Sequence, residues 1–198
     1  MKHAVATRRA LLDWFRREAR DLPWRRTSDP YKIWLSEIIL QQTRVDQGLP
    51  YYLRYVERFP TIRTLAAASE DEILKLWEGL GYYTRARNLH HAARVILERH
   101  GGKVPLASHE LQSLPGIGDY TAAAIASICG GEAIPVVDGN VLRVFARFWG
   151  IAADIRGTGV RKDIAHRLAA VLPARAAGAF NQAIMELGAL VCRRTGPD

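Results

Sequence analysis

Apolar positions recur at helical spacing along almost the whole chain. Between Ala4 and Arg20, the residues Ala10, Leu11, Trp14 and Phe15 fall at i, i+3, i+4 intervals against Arg8, Arg9, Arg16 and Arg17, the stripe of an amphipathic helix. Ser28-Asp29-Pro30 reads as a helix start: a capping side chain ahead of a proline whose missing N–H costs nothing in a first turn. That helix is expected to run to about Gln42. The same periodicity predicts helices over about 45–58, 61–67, 70–77, 84–99, 108–113, 119–129, 139–149, 160–171 and 177–192, parted by Phe59-Pro60, by Pro115 to Gly118 and by glycines at 79–81, 101–102, 130–131 and 157–159. Only the link Ile134-Pro135-Val136-Val137 looks extended. The expected fold class is all-α, with no repeat of fixed period.

Composition narrows the partners. At 198 residues the chain is long enough for one domain or two small lobes, burying roughly 70% of its unfolded surface. Lys and Arg total 28 against 20 acidic residues, a formal charge of +8, and only Lys2, Lys32, Lys75, Lys103 and Lys162 are lysines. Guanidinium forks around phosphate oxygens as an ammonium cannot, so the bias points to a polyanion, with nucleic acid favoured. No apolar run reaches membrane-spanning length, the start carries no signal-peptide core, and two cysteines far apart make neither a disulfide scaffold nor a zinc spacing. No membrane partner and an intracellular location, in the cytoplasm or at the nucleoid, are expected. His90 and His91 are adjacent, about 100° apart on a helix, and cannot share a metal.

Leu114-Pro115-Gly116-Ile117-Gly118 departs from packing logic. Glycines two apart permit a tight turn and let backbone N–H groups approach a ligand, while the following helix offers its positive end. Ile117 would tuck beneath the turn. A plain helix–helix corner is the competing reading; a P-loop is excluded because no Gly-Lys-Ser/Thr follows.

Two carboxylates stand out. Glu37 has Ile33, Trp34, Leu40 and Gln41 at i±3 and i±4, with no cation among them. Facing that stripe it would be desolvated and suited to proton donation; at the stripe's edge it would simply face water. Asp138 precedes an apolar helix and reads as its N-cap, which would hold an anion in a fixed place. An acid paired with a fixed anion suits cleavage of a glycosidic bond through a cation-like transition state.

Glu37 in Ser36-Glu37-Ile38-Ile39-Leu40-Gln41-Gln42-Thr43, the run Trp77-Glu78-Gly79-Leu80-Gly81-Tyr82-Tyr83, the hairpin at 114–118 and Val137-Asp138-Gly139-Asn140-Val141 together resemble the MutY-type adenine DNA glycosylases of the helix-hairpin-helix superfamily. The similarity runs from Leu22-Pro23-Trp24-Arg25 to Glu186-Leu187-Gly188-Ala189-Leu190-Val191-Cys192.

The resemblance implies an endonuclease III-like fold of two helical lobes flanking a DNA cleft: 22–133 with the hairpin at about 108–129, and 1–21 with 134–198. It also implies removal of adenine mispaired with 8-oxoguanine or guanine, the base first leaving the stack. Glu37 matches the general acid, Asp138 the stabiliser of the sugar cation and Asn140 its hydrogen-bonding support. Tyr120 stands where lyase-competent relatives carry a lysine nucleophile, so the activity is expected to be monofunctional. Arg25 and Gln182 match adenine-pocket residues, with Trp24 and Leu40 as pocket wall. Gln42, Thr43 and Tyr82 match residues on the DNA, and Leu114, Gly116 and Gly118 form the hairpin. Arg85 and Arg87 fit phosphate clamps beside Tyr82, whereas Tyr83 is read as core. Arg143 and Arg147, one turn apart, fit either a phosphate contact or a solvated face.

The family's [4Fe–4S] cluster takes four cysteines. Here Cys192 holds the first ligand position and the others are absent, so no cluster is expected in this chain; Cys129 is read as a buried small hydrophobe. The sequence reads as truncated before the second ligand and as lacking the domain with which the family reads 8-oxoguanine. A monomer acting on mispaired duplex is expected. Two rivals remain open: an endonuclease III-like glycosylase with lyase activity on oxidised pyrimidines, and an inactive helix-hairpin-helix module that only binds DNA.

Overall fold

The computed structural model describes residues 2–197, with side chains from residue 6 onward. Its regular elements are helices: α1 Lys2–Glu18, α2 Pro30–Ile39, α3 Val45–Arg58, α4 Ile62–Ala67, α5 Glu70–Trp77, α6 Thr84–Arg99, α7 Ser108–Leu111, α8 Asp119–Ile128, α9 Gly139–Phe148, α10 Thr158–Val171 and α11 Ala177–Leu190, with a 3-10 turn at Pro23–Arg25. No strand occurs among the described residues, and 134–137 is an extended link. No described helix is long and apolar enough to cross a membrane.

The chain divides into two compact units, Leu22–Ile125 and Met1–Asp21 with Ala126–Asp198. The division falls before the expected residue 133 because the last turn of α8 packs on α11. There Asn181 Nδ2 donates to Ser127 Oγ at 3.1 Å, and a Cβ on Gly178 would stand 2.5 Å from Ser127 O.

In the 22–125 unit the apolar faces of α2 to α6 close on Trp34, Leu35, Ile39, Tyr55, Phe59, Leu65, Ile73 and Trp77, all fully buried. Buried phenols reach main-chain carbonyls: Tyr31 Oη donates to Phe59 O at the end of α3 and Tyr55 Oη to Ile73 O within α5, each at 2.6 Å. Burial pushes both phenols above their ordinary pKa. Local capping sets the starts. Asp29 accepts from Tyr31 N, Ser69 accepts from Glu72 N, and Thr61 with Thr64 forms a reciprocal box.

In the other unit, α9 and α11 form the centre, with α1 and α10 against them. The core is Val141, Val144, Phe145, Ile164, Leu168, Phe180 and Ile184. A buried carboxylate fastens α1 to α11: Glu186 accepts from Arg20 Nε at 2.8 Å, Nη2 at 2.7 Å and the Arg20 backbone N–H at 2.9 Å. Removing Arg20 would leave the buried Glu186 carboxylate without its partner, the costly way to break such a pair.

Candidate functional site

Within the 22–125 unit, Glu37 lies two residues before the end of α2 and is half-buried, between its two sequence readings. The helix stops at Ile39, short of the expected Gln42. Leu40 N–H still reaches Ser36 O at 2.9 Å, but Gln42 turns left-handed with φ 54°. Leu40 and Thr43 are partly buried and Gln42 is exposed. Gln41 Nε2 donates to Thr121 Oγ1 at 3.1 Å, joining the end of α2 to α8. Arg25, in the 3-10 turn, is half-buried; beside it Trp24 meets Tyr52 edge-on at 5.0 Å.

The hairpin joins α7 to α8. Leu114 and Ile117 are buried beneath it, and Ile117 N–H donates to Leu114 O at 3.2 Å. Gly116 has φ +75°, and a Cβ there would stand 2.6 Å from Asn88 Cβ, so both backbone and packing demand glycine. Gly118 differs: a Cβ would meet open space, leaving that stretch of backbone exposed to an approaching ligand. Its carbonyl accepts from Ala122 N–H at 2.9 Å, opening the first turn of α8. Tyr120 lies in that turn, half-buried.

The turn at 79–83 carries Tyr82, 65% exposed and left-handed at φ 48°. Tyr83 is 39% exposed at the start of α6 rather than in the core, because it precedes the first helical turn and its backbone, not its ring, supports the helix. Arg85 corrects its reading as a phosphate clamp. Its guanidinium is turned inward onto carbonyls at the end of α2 and in the 79–81 turn, including Ile39 O at 2.9 Å and Gln41 O at 2.6 Å. Arg87 is exposed and pairs with Glu70 at 3.0 Å.

In the other unit, Asp138 caps α9. Its Oδ1 accepts from Val141 N–H and its Oδ2 from Asn140 Nδ2, each at 2.7 Å. Asn140 Oδ1 in turn accepts from Arg143 Nη2 at 2.8 Å, which fixes the amide's orientation. Arg143 also donates to Gly188 O at 2.6 Å and Cys192 O at 2.7 Å. It is neither a solvated charge nor free for phosphate; it closes the carbonyl end of α11. Gly188 permits this approach, since a Cβ would stand 2.6 Å from Asn140 Cβ. Upstream, buried Asn181 holds the extended link, donating to Ile134 O at 2.9 Å and accepting from Val136 N–H at 3.2 Å. Gln182, beside it on α11, is half-buried. The sequence reading missed Asn181; a polar residue inside an apolar helix stripe was the available signal.

Cys192 is half-buried, its Sγ 3.1 Å from Arg147 Nη1, which also donates to Arg193 O at 2.7 Å. Cys129 is half-buried too, not fully buried, because it follows the last turn of α8. No three His, Cys, Asp or Glu gather to hold a metal among the described residues. Cys192 is the thiol that the described residues place at a family ligand position, and a [4Fe–4S] cluster takes four such thiolates.

A glycine hairpin between helices, set in the same unit as a half-buried carboxylate, and a second carboxylate fixed at a helix cap define a class. The model of the HhH-GPD superfamily of base excision DNA repair proteins matches residues 35–170, and the chain belongs to that family. It is similar to the adenine DNA glycosylase of Rattus norvegicus, at 47% identity over 98% of this chain and 39% of that protein. The chain therefore spans well under half of that relative's length. Among solved structures it resembles a thermostable thymine-DNA glycosylase, with a TM-score of 0.87, 28% identity, and coverage of 99% of this chain and 90% of that one. It also shares the fold of an endonuclease III–DNA complex, with a TM-score of 0.82 and 19% identity over 100% of this chain and 89% of that one.

Proposed function

We propose that these residues are the catalytic region of an adenine DNA glycosylase, hydrolysing the N-glycosidic bond of adenine opposite 8-oxoguanine or guanine in duplex DNA. The observation that carries the reading is Asp138. Two donors at 2.7 Å hold its carboxylate, and the Asn140–Arg143 chain prevents the amide from turning its oxygen toward it. Electrostatic stabilisation of a developing cation depends on such prior orientation, since a charge already in place needs no reorganisation during reaction.

In this reading the target adenine leaves the stack. Glu37 donates a proton to N7, the C1′–N9 bond breaks with its electron pair leaving on the neutral base, and Asp138 faces the positive sugar. Water adds its oxygen to C1′ and releases a proton. Tyr120 cannot form a Schiff base, so the abasic product is released uncleaved. Arg25 and Gln182 contact the adenine; Gln42, Thr43 and Tyr82 meet the opposite base and its neighbours. The exposed backbone of the hairpin and the basic composition serve phosphate. The protein acts as a monomer at intracellular DNA.

The test is base release from an A:8-oxoguanine duplex under single turnover. Glu37→Gln and Asp138→Asn should each lower release by roughly 100-fold or more while duplex binding, steeply salt-dependent, persists. Asparagine caps helices as well as aspartate, so the second variant keeps the bond from Val141 N–H and loses the acceptor that Asn140 Nδ2 meets. Unchanged release by Glu37→Gln overturns the assignment of the acid; an abundant borohydride-trapped adduct would instead support a lyase.

A further inference from the structure

Among the described residues, two that are not glycine have left-handed backbones: Gln42 at φ 54° and Tyr82 at φ 48°. This conformation is unfavourable for an ordinary side chain and persists only where its surroundings impose it. One side chain borders both positions. Arg85 Nη1 donates to Gln41 O at 2.6 Å and to Thr43 Oγ1 at 3.3 Å, immediately before and after Gln42. Its Nη2 donates to Leu80 O at 3.4 Å and Gly81 O at 3.3 Å, immediately before Tyr82. The guanidinium carbon lies 5.6 Å from the Tyr82 ring centroid and 5.1 Å from that of Trp77. Trp77 Nε1 donates to Gly81 O at 2.9 Å, and Arg85 N–H donates to Tyr82 O at 2.9 Å. The backbones are tied, yet the Gln42 and Tyr82 side chains remain exposed.

We infer that Arg85 is a positioning residue: its guanidinium locks the backbones at Gln42 and Tyr82 so that both side chains enter the duplex already oriented. The inference rests on the proposed function, in which those two side chains insert beside the mispair. A planar fork with five donors holds carbonyls of two chain segments from two nitrogens in fixed geometry; an ammonium offers three donors from a single nitrogen on a flexible stem and fixes neither segment as firmly. Ordering the two segments before contact spares that entropy during binding.

The experiment compares the 198-residue chain with Arg85→Lys on an A:8-oxoguanine duplex carrying 2-aminopurine beside the 8-oxoguanine, whose fluorescence rises when insertion unstacks it. For Arg85→Lys, the fluorescence response should vanish and single-turnover adenine release should fall by about 100-fold, the loss typical of a small misplacement. Its binding should keep the wild-type salt slope, whereas losing a phosphate contact lowers the slope by about 1. A lowered Tm with a normal response per folded molecule would mark Arg85 as merely structural and overturn the inference, as would a reduced salt slope. Should Arg85→Lys fail to fold, 15N-arginine spectra of the wild-type chain decide. Arg85 guanidinium protons that stay protected from exchange on binding DNA support positioning, and loss of that protection overturns it. A wild-type chain that neither inserts nor releases adenine overturns the functional reading itself, and the inference with it; wild-type insertion retained by Arg85→Lys overturns the inference alone.

Discussion

The largest fully buried side chains of the protein, Trp34, Trp77, Tyr55 and Phe59 foremost, belong to the 22–125 unit. The unit formed by 1–21 and 126–198 is built otherwise. No side chain of α1 from residue 6 onward is buried, and a cavity of about 460 Å3 opens among Leu11, Trp14, Val144, Phe145, Phe180 and Ile184. Close approaches are made there at Gly178, to the backbone of Ser127 and Ile128, and at Gly188, to Asn140. Yet both units immobilise candidate functional residues by one device, an arginine turned onto helix-end carbonyls: Arg85 at the end of α2, Arg143 at the end of α11. The last carbonyls of a helix have no partner within it, and a guanidinium satisfies several at once. Rigid local placement of a few residues therefore does not require a uniformly dense core.

Truncating a fully buried aromatic breaks this contrast most sharply. Trp34→Ala should destabilise the protein by about 3–5 kcal/mol, measured by urea unfolding followed by far-UV circular dichroism. Trp34→Phe should lose less, since the buried indole N–H has no hydrogen-bond partner to forfeit. The backbone approach in the other unit gives the intermediate case. Gly178→Ala sets a methyl 2.5 Å from Ser127 O and 2.7 Å from Ile128 Cα, main-chain atoms that yield only by moving helices. Overpacking of that kind costs about 1–3 kcal/mol. Gly118→Ala, pointing into open space, should stay within about 0.5 kcal/mol. A Gly178→Ala loss exceeding that of Trp34→Ala would reverse the ranking of the two units.

Periodicity and breakers made the helices legible, because both act over a few residues. Asp138 as a cap and Ile117 as the buried plug were legible for the same reason: each is decided by its own neighbours. The arginines were not. Arg85 and Arg143 look like their solvated neighbours in sequence, and their use depends on carbonyls about 45 positions away. Left-handed Gln42 and Tyr82 also went unread, since neither residue carries the glycine or asparagine signal of that conformation. Sequence located the candidate residues; which arginines serve structure emerges only when helix ends meet.

The smallest expected effect separates the units by their buried titratable groups. Glu186 in one is gripped on both oxygens by Arg20. His90 in the other is buried on α6 with Nε2 unbonded, and burial, then Arg94, pushes its pKa below the usual 6.5 against the opposing carbonyls of Ala66 and Ala68 and the charge of Glu70. A depressed pKa means the unfolded chain takes up the proton first as pH falls. The stability His90 contributes is therefore complete above about 6.5 and declines below it, until the folded form also protonates. Urea midpoints measured between pH 7.5 and 5.5, above the range where most carboxylates titrate, should fall with pH in the wild type and less steeply in His90→Leu. Equal slopes would mean that His90 keeps an ordinary proton affinity despite its burial.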